Sequence, residues 1–87
     1  MRYHVFATDF DGTIAHHGRV SPETLQALQK LKATGRVLVL VTGRELHDLE
    51  KVFAGYRVFD YIVAENGALL HFTATGREEL LGQKPPQ

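Results

Sequence analysis

An α/β fold built on a parallel sheet is predicted by three features of the sequence. Val37 to Val41 (VLVLV) is an unbroken apolar run of strand length, the mark of a strand buried on both faces. Helix-period segments lie on either side of it, and further strand-like runs at residues 3–8 and 60–64 give the order β-α-β-α-β-β. That order favours right-handed crossovers, with helices packed against the faces of the sheet.

Each element has its own signal. Tyr3 to Thr8 (YHVFAT) is aromatic and β-branched without clean alternation, as in a covered strand, and it stops at Asp9. From Asp9 to Val20 the chain is polar and broken by Gly12 and Gly18, which predicts a turn or small flap. Ser21 is a natural N-cap, Pro22 suits the first helical position and Glu23 faces the positive end of the dipole. Leu25, Leu28 and Leu31 then form an apolar stripe, and Gly35 closes that helix. A second helix is expected from about Glu45 to Ala54, with Leu46, Leu49, Val52 and Phe53 on one face and Gly55 as its stop. Asp60 to Ala64 and Ala68 to Phe72 read as two strands joined through Asn66-Gly67, a strong hairpin signal. The domain is expected to span 1–81, and Gly82 to Gln87 reads as a Pro-ending tail or cut end.

Composition narrows the classes of function. Ten basic and ten acidic residues cancel without local runs of like charge, which excludes partners chosen by bulk charge, nucleic acid and anionic membranes among them. No stretch approaches the roughly 20 apolar residues that cross a bilayer, and His4, Thr8 and Asp9 interrupt any signal-peptide core. The absence of Cys rules out disulfides and thiolate zinc sites and fits a cytoplasmic protein. A chain this short buries only roughly 60 to 65% of its unfolded surface, so its stability is expected to be thin.

Two polar clusters fall at the carboxyl ends of predicted strands, where α/β sheets bind ligands. Asp9 and Asp11 lie two apart in extended chain, so both carboxylates point the same way, roughly 7 Å apart. Such a pair serves either as a metal site or as an acid and a base of different strength. Gly12 lets backbone N–H groups approach an anion, although Asp-Gly is also ordinary turn composition. In the second cluster Thr42 offers a hydroxyl, Gly43 a bare backbone and the following helix its free N–H groups, a phosphate cradle in form. A plain helix cap by Thr42 explains the same residues. Arg44 would reach a substrate anion or pair with a neighbouring acid. Asn66 would line the same pocket or simply supply positive φ to a turn. Adjacent His16 and His17 point to opposite sides of an extended flap and read as solvated, and His47 sits on a wet helix face with Glu45, Asp48 and Lys51.

Asp9-Phe10-Asp11-Gly12-Thr13 resembles the first signature of the haloacid dehalogenase (HAD) superfamily, and Leu40-Val41-Thr42-Gly43-Arg44 resembles the second. Glu65-Asn66-Gly67-Ala68 is similar to a segment of its sugar-phosphatase-like, Cof-type branch. The likeness runs from about residue 3 to residue 72 and implies the N-terminal half of a three-layer, Rossmann-like core. It also implies a magnesium-dependent phosphohydrolase acting on a small phosphorylated metabolite, a phosphate monoester of sugar-phosphate type. Asp9 would be the nucleophile that becomes an aspartyl phosphate, and Asp11 the general acid and base. The Asp9 carboxylate and Asp11 carbonyl would bind Mg2+, while Thr42 and Gly43, with Gly12 and Arg44, would hold the phosphoryl group. Phosphoryl transfer needs positioning and neutralised charge, and oxygen-only ligands suit magnesium.

The chain also departs from that family. The phosphate-steadying Lys and a second acidic cluster have no counterpart: Lys30, Lys32, Lys51 and Lys84 lie in the helices and tail, and only Glu78 and Glu79 follow Thr75. The strands that flank the first strand in the family are missing too. Its apolar edge at Val5, Phe6 and Ala7 is therefore expected to self-associate or to pair with a missing C-terminal segment. Two readings follow: a phosphatase, weak or inactive as this chain alone, or a non-catalytic module that binds magnesium and phosphate without turnover.

Overall fold

The computed structural model describes residues 4–81; the expected tail from Gly82 lies outside the described residues. Strand β1 (Val5–Asp9) is followed by a hairpin of two short strands, β2 (Ala15–His16) and β3 (Arg19–Val20). Helix α1 (Pro22–Ala33), strand β4 (Val37–Val41), helix α2 (Leu46–Val52) and strand β5 (Tyr61–Ala64) come next. Strands β6 (Leu69–Phe72) and β7 (Glu78–Leu80) end the described chain. The main sheet has the order β1-β4-β5-β6-β7, parallel from β1 to β5 and antiparallel after it. No helix among the described residues is long and apolar enough to cross a membrane.

Helix α1 begins where its cap residues require. The Ser21 hydroxyl accepts from the Thr24 N–H at 3.1 Å, Pro22 opens the first turn, and Gly35 leaves the helix at φ 91°. Leu28 is buried, with Leu25 and Leu31 packed at the margin of the core. Helix α2 is shorter than its apolar pattern predicts. Phe53 turns to an extended conformation and buries its ring against Phe10 and Phe59, at centroid distances of 5.7 and 6.3 Å, and this ends the helix at Val52. Strand β5 starts one residue late, at Tyr61; Asp60 just before it donates its N–H to the Leu38 carbonyl and accepts from the Leu38 N–H through its carboxylate, each at 2.8 Å.

The expectation that β4 is covered on both faces does not hold among the described residues. Leu38 and Leu40 are fully buried, whereas Val37, Val39 and Val41 are only half-buried. Strand order supplies the reason. The sheet grows in one direction from β1 to β4 to β5, so two right-handed crossovers put both helices on the same face. The core accordingly joins Leu28, Leu49 and Phe53 to Leu38, Leu40 and Ile62 on that face. Through the strand register, Val39, Val41, Val63, Leu70 and Phe72 share the other face, which no described helix covers. One helix layer and the sheet are thus present, and the core is incomplete as a three-layer fold.

Strand β7 has no sequence signal, since Glu78 and Glu79 are residues that β-strands usually lack. It closes one edge of the sheet, where charge is tolerated. At the opposite edge β1 has no outer neighbour among the described residues, and Val5 and Phe6 are 63% and 38% exposed.

Candidate active site

Both predicted clusters lie at the carboxyl ends of adjacent strands, β1 and β4, which pair in parallel with Asp9 opposite Val41. Phe10 organises the first cluster. Its ring is wholly buried, its N–H bonds to the Val41 carbonyl at 3.0 Å, and its carbonyl receives the N–H groups of Thr13, Ile14 and Ala15. Driving Phe10 into the core leaves Asp9 and Asp11 on the exposed side of the chain. Gly12 follows at φ 80°, a conformation that favours glycine, and donates to the Ala15 carbonyl at 2.9 Å.

The second cluster is a loop and not a helix start. Thr42 is 5% exposed, its N–H is bonded to the Val63 carbonyl, and its hydroxyl accepts from the Arg44 N–H at 3.1 Å. Helix α2 begins only at Leu46, after Glu45, so Thr42 caps the loop on itself and not the helix. The helix N–H groups expected to join the cradle belong to residues beyond the cavity lining.

A cavity of about 280 Å³ lies between the two loops, lined by Asp9, Phe10, Asp11, Val41, Thr42, Gly43 and Asn66. It brings together Asp9, Asp11, Thr42, Gly43 and Asn66, all singled out from the sequence. Gly12 and Arg44 are not among its lining residues. His16 and His17 are exposed on the hairpin, and His17 adopts φ 55° at its turn.

Arg44 takes the ion-pairing alternative. Nε and Nη2 donate to the two carboxylate oxygens of Asp11, each at 3.0 Å, and Nη1 donates to Asp48 at 3.2 Å. The guanidinium also lies 5.6 Å from the centre of the Phe10 ring. Its pKa is raised above the ordinary arginine value, chiefly by the hydrogen bond to Asp11; desolvation opposes this, and the charges of Asp11 and Asp48 add to it. It therefore stays charged at any working pH. Sequence reasoning misses Asp48, which it places on a wet helix face. Its spacing of four residues from Arg44 is the signal that could have found it.

Asn66 belongs to a turn with three consecutive positive φ values: 55° at Glu65, 58° at Asn66 and 90° at Gly67. The Asn-Gly signal is realised as a four-residue connection, since Ala64 pairs with Leu69. A left-handed Glu is uncommon and costs on the order of 1 kcal/mol or more. Two bonds hold it there: Glu65 N–H to the Arg44 carbonyl at 3.0 Å, and Asn66 N–H to the Thr42 carbonyl at 3.3 Å.

The donor set bears on metal binding. Asp9 and Asp11 supply only oxygen, which suits magnesium, an ion that keeps several waters and takes one or two carboxylates from a protein. Among the described residues no group of three or more His, Cys, Asp or Glu is placed to hold a metal ion. A magnesium held here would thus rely on Asp9, the Asp11 carbonyl and water.

Comparison with known proteins identifies the family. A family model for haloacid dehalogenase-like hydrolases matches residues 6–83. The putative phosphatase YxeH of Bacillus subtilis (strain 168) is 36% identical over 77 residues, which are 84% of this chain and 28% of YxeH. The glucosyl-3-phosphoglycerate/mannosyl-3-phosphoglycerate phosphatase of Persephonella marina is 30% identical over 69 residues, 78% of this chain and 26% of that protein. The structure of BT1666 from Bacteroides thetaiotaomicron, a phosphatase of the HAD superfamily, superposes with a TM-score of 0.78 and 29% identity, over 95% of this chain and 31% of that one. The chain spans between about a quarter and a third of these relatives. With both strand-end motifs on one cavity and the family model matching nearly the whole described chain, the protein belongs to the haloacid dehalogenase-like hydrolases.

Proposed function

We propose that this chain supplies the nucleophile half of a magnesium-dependent phosphatase site for small phosphate monoesters of sugar-phosphate type. The observation that carries the reading is the shared cavity of Asp9, Asp11, Thr42 and Gly43 at neighbouring strand ends. The phosphatase relative that acts on glycosyl phosphoglycerates supports the substrate class. The lack of Cys favours a cytoplasmic setting.

In this reading an Asp9 carboxylate oxygen attacks phosphorus, the ester P–O bond breaks, and Asp11 gives a proton to the leaving alcohol. Water then attacks the aspartyl phosphate, Asp11 takes a proton from that water, the bond between the Asp9 oxygen and phosphorus breaks, and inorganic phosphate leaves. Both Asp11 oxygens accept from Arg44, so presenting a proton to the leaving group requires one of those bonds to open. The Thr42 hydroxyl and the Gly43 N–H hold the phosphoryl oxygens, with Gly12 and Arg44 supporting the loops from outside the cavity. Magnesium, when bound at Asp9 and the Asp11 carbonyl, supplies neutralising charge for the phosphoryl group.

A specific observation favours a second reading. Among the described residues no Lys and no third acidic side chain lines the cavity, and each missing charge-stabilising group costs roughly 3 to 4 kcal/mol of transition-state stabilisation. The 87-residue chain by itself would then bind magnesium and phosphate with little turnover. Magnesium-dependent hydrolysis of an aryl phosphate, measured for the wild type and for Asp9→Asn, separates the two. A rate abolished by the substitution supports the enzyme, and equal rates sink it.

A further inference from the structure

The turn after β5 is shaped by the phosphate loop and not by the hairpin alone. A β-hairpin closes with a two-residue Asn-Gly turn at no cost to its neighbours, yet here the connection places two non-glycine residues in left-handed backbone. An internal bond from the Ala68 N–H to the Glu65 carbonyl closes the turn, and two further bonds tie it to the loop after β4, at the carbonyls of Thr42 and Arg44. The outcome is the position of one side chain. The Asn66 carboxamide lies over Gly43 so closely that a Cβ at residue 43 would come within 2.8 Å of Oδ1 and 3.5 Å of Cγ. Gly43 carries no positive φ, so what glycine provides here is space: any side chain at 43 would have to push the Asn66 carboxamide aside.

The chemistry of the cavity says what that carboxamide is for. Two carboxylates, Asp9 and Asp11, face any anion that enters, and among the lining side chains only Thr42 and Asn66 carry polar hydrogens. An anion beside two negative groups is held by fixed donors. We propose that Asn66 is a ligand of the bound phosphoryl group, donating a side-chain N–H to one of its oxygens, and that residue 43 is glycine to make room for it. This rests on the phosphoryl-binding reading of the cavity and adds to it a specific donor from a third strand end.

The test is titration of the 87-residue chain with inorganic phosphate at fixed magnesium concentration, followed by phosphorus NMR. Asn66→Gly keeps a left-handed backbone accessible while removing the carboxamide, and Gly43→Ala displaces the carboxamide without touching residue 66. Each is expected to bind phosphate about tenfold or more weakly, the scale of one hydrogen bond to a charged group, with an unchanged far-ultraviolet dichroism spectrum. The double variant is expected to bind no more weakly than either single one. Asn66→Asp, which keeps the size and replaces the donor by a charge, is expected to weaken binding at least as much. Wild-type affinity in Asn66→Gly or Asn66→Asp overturns the role of Asn66 and leaves the cavity reading intact. No phosphate binding by the wild type at millimolar concentration overturns both.

Discussion

Arg44 grips both carboxylate oxygens of Asp11, 33 residues away in sequence, with two hydrogen bonds of 3.0 Å. This fork ties the loop after β1 to the loop after β4, and Asp48 extends the tie to α2. A bidentate pair demands the planar guanidinium, which an ammonium does not reproduce. Arg44→Lys is therefore expected to lower the melting temperature, and Arg44→Ala to lower it further. In a double-mutant cycle pairing Arg44→Ala with Asp11→Ala the losses should be less than additive, since each substitution removes the same two bonds. Strict additivity in thermal melts would show that the pair contributes nothing.

Phe10 separates the two acidic residues by filling the core between them. Phe10→Ala is expected to cost about 3–5 kcal/mol, comparable to the whole stability of a small domain, so the variant should be largely unfolded in urea titrations. Phe10→Leu keeps most of the volume and should cost about 1.5 kcal/mol or less. A folded Phe10→Ala with wild-type midpoint would mean that the ring does not anchor the loop.

The Ser21 cap is local and exposed, and Ser21→Ala is expected to cost about 1 kcal/mol. Chemical denaturation reads this directly, and Ser21→Asp, which caps as well, should restore it.

The edge of β1, which has no outer neighbour among the described residues, carries exposed Val5 and Phe6. Parallel pairing turns the His4 carbonyl, the N–H and C=O groups of Phe6 and Thr8, and the Phe10 N–H towards β4, leaving those of Val5, Ala7 and Asp9 at the edge. Such an edge recruits another strand. Light scattering of the 87-residue chain should show mass rising with concentration, and Val5→Lys should suppress the rise. A strictly monomeric wild type at high concentration would contradict this.

Much of the fold is legible in the sequence because local signals agree with one another. The VLVLV run coincides with β4, and Ser21, Pro22 and Gly35 bracket α1 where side-chain capping and positive φ require. What the sequence hides depends on neighbours far along the chain. An apolar run announces burial but not how many faces are covered; strand order and crossover handedness decide that. Glu78 and Glu79 conceal β7, because a strand at an edge need not look like one. For Arg44 the sequence leaves two partners open, and only the juxtaposition of β1 and β4 selects Asp11. Asn66-Gly67 announces a turn, whereas the left-handed Glu65 before it follows from the bond to the Arg44 carbonyl and has no signal of its own.

In the proposed mechanism Asp9 receives the phosphoryl group, and every later step depends on it. The direct measurement is to incubate the protein with magnesium and an aryl phosphate, reduce it with borohydride, and locate the modified residue by mass spectrometry. An acyl phosphate at Asp9 is reduced to homoserine, so homoserine at position 9, absent from Asp9→Asn, is the predicted result. Phosphoryl release with no reduced residue at position 9, or with the mark on another side chain, would contradict it.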